Sequence, residues 1–258
     1  MRSLSIGNSF SQDACSFLHQ AAKSAKIDWE CVNLYIGGCS LEYHAENLRE
    51  NRRNYSLEIN GQSTGRTVSV KEALEDLGDF DFITLQQASH FSGMEETYFP
   101  FITELFSACR QTQPDAATVI HETWAYETDS THDAFVNYGH SQQKMFSMLH
   151  DAYKKAADML GTVIIPVGDT IQHFREKVSG FDYPKNGGKP LTRDGFHLSI
   201  PDGRFIAALV WIEILAKTDA RKVVFLPDGM TETRRDMIEK NVHSFLQSYI
   251  NEKNDLSV

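Results

Sequence analysis

Short apolar runs alternate with longer amphipathic stretches along almost the whole sequence, and this alternation restricts the fold more than any other feature. Strand-like runs are read at 2–6, 31–36, 81–85, 117–121 and 162–167. Helical periodicity is read at 12–26, where Phe17, Leu18, Ala21, Ala22 and Ala25 share one face. It recurs at 41–53, 99–111, 134–160, 169–178, 201–216 and 232–250. The strands are continuous apolar runs rather than clean polar–apolar alternations, as expected where helices cover both faces of a parallel sheet. Right-handed crossovers then predict an α/β fold, a three-layer α/β/α sandwich on a five-stranded parallel sheet. The segment over 55–70 breaks the rhythm: Asn60-Gly61 between two strand-like stretches predicts an inserted β-hairpin. No linker, repeat or low-complexity tract divides the chain, so one domain is expected over 1–258. The polar tail over 251–258 is expected to fray.

Composition bounds the partners. Hydrophobic residues make up 41% of 258, enough for a full core. The formal charge of -10 repels phosphate backbones and anionic lipid heads, so neither nucleic acid nor membrane is an expected partner. No apolar run reaches bilayer length, and no h-region with a cleavage site opens the chain, so a cytoplasmic location is expected. Cys15, Cys31, Cys39 and Cys109 form no C-x-x-C pair and read as buried thiols. His121-Glu122 lacks the second histidine of an H-E-x-x-H helix, and His90, His132 and His140 are scattered. No metal and no organic cofactor is expected.

In parallel sheets, ligands bind beyond the carboxyl ends of the strands. The residues there are Gly7-Asn8-Ser9, Gly37-Gly38-Cys39-Ser40, Gln86-Gln87-Ala88-Ser89-His90 and Glu122-Thr123-Trp124-Ala125-Tyr126. Ser9 follows a strand and opens a helix, where free backbone N–H groups favour developing negative charge. Alone it reads equally as a helix cap. Late in the chain Asp194-x-x-His197 supplies what a serine nucleophile needs, a base and a carboxylate to hold its tautomer. Trp124 and Tyr126, with His90, are candidate substrate contacts, although the two aromatics fit a core equally well.

Taken in order, Gly7-Asn8-Ser9, Gly37-Gly38 and Asp194-Gly195-Phe196-His197 resemble the sequence blocks of the SGNH (GDSL-like) hydrolase superfamily. The resemblance spans essentially the whole chain. It implies a flavodoxin-like SGNH hydrolase fold and a serine esterase with the triad Ser9, His197 and Asp194. Its oxyanion hole would draw on the N–H groups of Ser9 and Gly38. The superfamily's third block is usually G-x-N-D, whereas this strand end reads Leu85-Gln86-Gln87-Ala88-Ser89. Gln86 would take the place of the asparagine donor, with Gln87 the alternative. Some carbohydrate-acetyl esterases of the superfamily also carry glutamine there. That likeness implies a small-molecule or glycan ester, such as an acetylated sugar. A lipid or thioester hydrolase and a non-catalytic sugar-binding module are the rival readings.

Overall fold

A computed structural model describes residues 1–255. Its elements in order are β1 (Arg2–Gly7), α1 (Ser9–Cys15), α2 (Leu18–Ser24), β2 (Glu30–Tyr35), α3 (Leu41–Arg49), β3 (Tyr55–Ile59), β4 (Gln62–Val68) and α4 (Val70–Asp76). There follow β5 (Phe82–Leu85), α5 (Phe101–Thr112), β6 (Ala117–His121), α6 (Gln142–Leu160), β7 (Ile164–Ile165), α7 (Val167–Lys177), α8 (Asp202–Leu215) and α9 (Glu232–Asp255). Where the tail was expected to fray, α9 continues over 251–255; the rest of that expectation, residues 256–258, lies outside the described residues.

The sheet has the order β4-β3-β2-β1-β5-β6-β7. Strands β2, β1, β5, β6 and β7 are parallel, and β1 lies between β2 and β5. The expected five-stranded sheet is therefore incomplete as a description. The hairpin is not an appendage: β3 pairs antiparallel with β2, setting Val32 opposite Ile59 and Leu34 opposite Leu57, and gives a mixed seven-stranded sheet. Tyr55 and Leu57 face the core while Ser56 faces water, the alternation of a half-buried strand. The outer strand β4 is exposed over 62–67, and its polar side chains blunt an edge that could otherwise pair with another chain.

Helix α8 packs against α1, α2, α7 and α9, while α3, α4 and α5 pack with one another and α6 covers β6 and β7. Its residues from Phe205 to Ile212 are all fully buried, so α8 is apolar on every side. The helix expected over 12–26 is two helices. Ser16 Oγ donates to Gln12 O, and the chain breaks at Ser16-Phe17 before α2 begins. Helix α4 was not legible from periodicity, yet Ser69 and Glu72 form a reciprocal capping box at its start. No helix among the described residues is long and apolar enough to cross a membrane.

The hairpin turn supplies a test. Gly61 has φ +75°, and a Cβ there would lie 2.9 Å from Ser16 O. Gly61→Ala should lower unfolding free energy by about 1–2 kcal/mol or more, from the left-handed backbone and the contact together. Urea unfolding measures the loss.

Candidate active site

The turn after β1 is built by Gly7 and Asn8. A Cβ on Gly7 would sit 2.3 Å from Ser11 Oγ and 3.3 Å from Gln86 Cδ, so only glycine lets the strand end pack so closely. Asn8 caps α1: its Oδ1 accepts from Phe10 N–H at 3.0 Å, and its Nδ2 donates to Cys39 O at 3.1 Å. The serine turn is thereby tied to the loop after β2. Ser9 is the first residue of α1 and is half-buried, whereas Ser11 is fully buried with its Oγ 2.7 Å from Asn33 Oδ1. Of the two serines, only Ser9 reaches solvent.

The Asp194-x-x-His197 loop is a tight turn closed by the Thr192–Leu198 bridge and by Arg193 N–H donating to His197 O at 2.8 Å. Gly195 has φ +89°, and a Cβ there would meet Ser130. Asp194 Oδ1 accepts from the N–H groups of Phe196 (3.2 Å) and His197 (2.7 Å). Its Oδ2 lies 2.7 Å from His197 Nδ1. Burial pushes the Asp194 carboxyl up, but the His197 ring and the two backbone donors outweigh it and hold the group below its usual range. A carboxylate on Nδ1 assigns the proton there and leaves Nε2 as the basic nitrogen.

Ser9 and this loop are fixed to each other through α1. Asp13 lies one turn beyond Ser9 on the same helical face and is fully buried. Its carboxylate accepts from Leu198 N–H at 2.7 Å, from Arg193 Nη1 at 3.0 Å and from Arg204 Nε at 2.9 Å. Phe10 stacks on Trp124 with ring centroids 4.3 Å apart and tilts against the His197 ring at 5.9 Å. Trp124 Nε1 donates to Phe196 O at 2.7 Å. The residues flanking Ser9 and those flanking His197 therefore share one set of contacts. Among the described residues no hydrogen bond joins Ser9 Oγ to His197.

The other expected site residues divide. Gly38 is exposed in the loop after β2, with φ +64°. Gln86 is buried and its amide is engaged at both ends: Nε2 donates to Asn8 Oδ1 at 2.8 Å, and Oε1 lies 2.6 Å from His121 Nδ1. Gln87 is also committed, accepting from Leu41 and Ala88 N–H and donating to Thr97. Trp124 and Tyr126 are not substrate-stacking walls. Both are fully buried, Trp124 beneath Phe10 and Tyr126 with its hydroxyl 2.9 Å from Ser89 Oγ. His90 stays half-buried, and burial followed by the nearby His132 lowers its pKa. His132 and Phe196 pack edge to face beside it, with centroids 4.8 Å apart.

The Domain of unknown function (DUF4886) family matches residues 2–244. The chain belongs to the DUF4886 family. A DUF4886 protein of known structure from Bacteroides uniformis is 35% identical, with a TM-score of 0.87 over 96% of this chain and 95% of that one. A candidate SGNH hydrolase from Slackia heliotrinireducens is 26% identical, with a TM-score of 0.58 over 83% of this chain and 97% of that one. An acetylxylan esterase from Geobacillus stearothermophilus is 12% identical, with a TM-score of 0.51 over 87% of this chain and 94% of that one. The DUF4886 chain thus has an α/β fold of the SGNH hydrolase kind. No curated protein matches it.

Two stability tests arise from this geometry. Asp13→Asn removes a charged acceptor from three donors and should cost about 1.5–3 kcal/mol or more in chemical denaturation. Burial also pushes His44 and His121 down to about 3, so both are neutral in the folded chain. Unfolded histidines take up a proton below about pH 6.5. Their contribution is complete above that pH and is lost as pH falls toward 3. Each should lower stability by about 1.4 kcal/mol per unit below pH 6. Unfolding of His121→Phe at pH 7, 6 and 5 should show a slope smaller by one proton than the parent.

Proposed function

We propose that this DUF4886 protein is a serine esterase with Ser9 as nucleophile, His197 as general base and Asp194 as its partner. The observation that carries the reading is the Asp13 clasp. One helical turn after Ser9, Asp13 grips the backbone of Leu198, next to a histidine whose Nδ1 is already bound to Asp194. A fixed spacing of nucleophile and base is what such a clasp would maintain.

In this mechanism His197 Nε2 takes the proton from Ser9 Oγ as that oxygen attacks the ester carbonyl. Asp194 stabilises the imidazolium. The backbone N–H groups of Ser9, at the start of α1, and of Gly38 stabilise the oxyanion. His197 then returns the proton to the departing alkoxide, and water, deprotonated by the same nitrogen, releases the acid from the acyl-serine. Gln86 acts by position: its Nε2 holds the Asn8 side chain that caps the nucleophile helix. Nε2 carries a second proton, which this reading assigns to the oxyanion. Likeness to an acetylxylan esterase supports a small acyl group, such as acetyl, on a carbohydrate.

A fluorophosphonate probe should add its mass to the peptide containing Ser9, and Ser9→Ala should abolish labelling. With p-nitrophenyl esters, Ser9→Ala should lower kcat by at least about 10⁴ while the fold persists. Acetate should be turned over faster than longer acyl chains. Parent-like turnover by Ser9→Ala would refute the assignment.

A further inference from the structure

A second group of ionisable side chains lies at the far end of the same sheet edge, after β6 and β7, and takes no part in the mechanism above. Glu122 follows β6, His150 lies on α6, and Asp169 lies in the first turn of α7. One ligand atom from each falls within 4.8 Å of the other two. His150 Nδ1 lies 2.7 Å from Asp169 Oδ1 and 3.6 Å from Glu122 Oε1, the latter beyond hydrogen-bond length. Glu122 Oε2 is taken by Asp169 N–H at 2.9 Å, which leaves Oε1 turned to the imidazole.

An independent observation comes from Gln172. It stands three residues after Asp169 on the same face of α7 and is 97% buried, with a relative exposure of 3%. Its Nε2 donates to Glu176, but its Oε1 is buried and has no hydrogen-bond partner. A buried carbonyl oxygen left unpaired loses the hydrogen bonds it had in water and gains none in return. His150, Asp169 and Gln172 line one cavity of about 390 Å³, open enough to admit an ion and its waters.

The other His–carboxylate group of the described residues, Glu213, Asp219 and His243, makes an instructive contrast. There Glu213 accepts from His243, Gln247 and Ala220 N–H, and Asp219 accepts from Arg221, so every ligand oxygen already has a donor. Only the first group combines facing carboxylates with an unpaired buried acceptor.

We propose that Glu122, His150, Asp169 and Gln172 bind one divalent first-row metal ion. One imidazole nitrogen with carboxylate and amide oxygens suits Zn²⁺ or Mn²⁺ better than Ca²⁺, which takes an all-oxygen shell. Two carboxylates balance the charge of the ion, and Gln172 Oε1 gains the partner it lacks. The ion would join the end of β6 to α6 and α7. This site is independent of the esterase reading and stands or falls apart from it.

Chelator-treated protein is titrated with ZnCl₂, MnCl₂ and CaCl₂ in turn by calorimetry, and melting is followed at each ion concentration. Zn²⁺ or Mn²⁺ should bind at one ion per chain and raise Tm, with Ca²⁺ weaker. His150→Ala and the near-isosteric Asp169→Asn should each weaken binding at least tenfold. Circular dichroism checks that both variants are folded; Asp169→Asn alone decides the matter if His150→Ala is not. Absence of saturable binding, binding of Ca²⁺ alone, or parental affinity in Asp169→Asn overturns the proposal.

Discussion

The carboxylate of Asp13 has no access to water, and nothing in α1 itself satisfies it. Its donors come from Arg193, Leu198 and Arg204, so the first helix of the chain is completed by residues from the last quarter. A buried carboxylate is tolerable only when its oxygens are filled, which makes the arrangement all or nothing. The helix fixes the position of Ser9, and the donors fix the position of His197. Two separate surface loops could drift relative to each other; a helix and a loop closed on one buried anion cannot do so without exposing it. Trp124 adds a second brace, since it supports Phe10 on one side and the Phe196 carbonyl on the other.

A comparable logic runs beneath the serine turn. His121, Gln86 and Asn8 form a line of buried hydrogen bonds that ends on Phe10 N–H and on Cys39 O. Because Gln86 donates to Asn8 through Nε2, its Oε1 must accept, and His121 must carry its proton on Nδ1. Each member sets the orientation of the next, which a single asparagine in a solvated loop would not achieve. Glutamine suits the position because its longer arm spans the gap between β6 and the α1 cap.

Much of this was legible in the sequence. The parallel core strands, the Asn-Gly hairpin and the pairing of Asp194 with His197 each depend on short-range pattern or on residues three apart. The chain in fact places Asp194 and His197 in contact through one turn. What stayed hidden depends on contacts distant in sequence. Nothing local reveals that β3 adds to β2 rather than folding over the cleft, or that Trp124 and Tyr126 point inward. The partners of Asp13 lie 180 or more residues away, and no periodicity signals them. The commitment of the Gln86 amide was equally beyond reach, because it depends on which face of β5 meets Asn8 and His121.

The span of the Asp13 clasp bears on how the protein comes off the ribosome. Synthesis delivers β1, α1 and β2 early, and they can pair as soon as they emerge. Asp13 must then wait for Arg193 and Arg204, which appear 180 and 191 residues later. At a typical elongation rate of about 5–20 residues per second, that interval lasts on the order of ten seconds or more. Throughout it the Asp13 carboxylate, on the helix face that α8 will later cover, has only water for donors. Closure of α8 over α1 is therefore a late event, and the nucleophile acquires its geometry only as the vectorial growth of the chain nears its end.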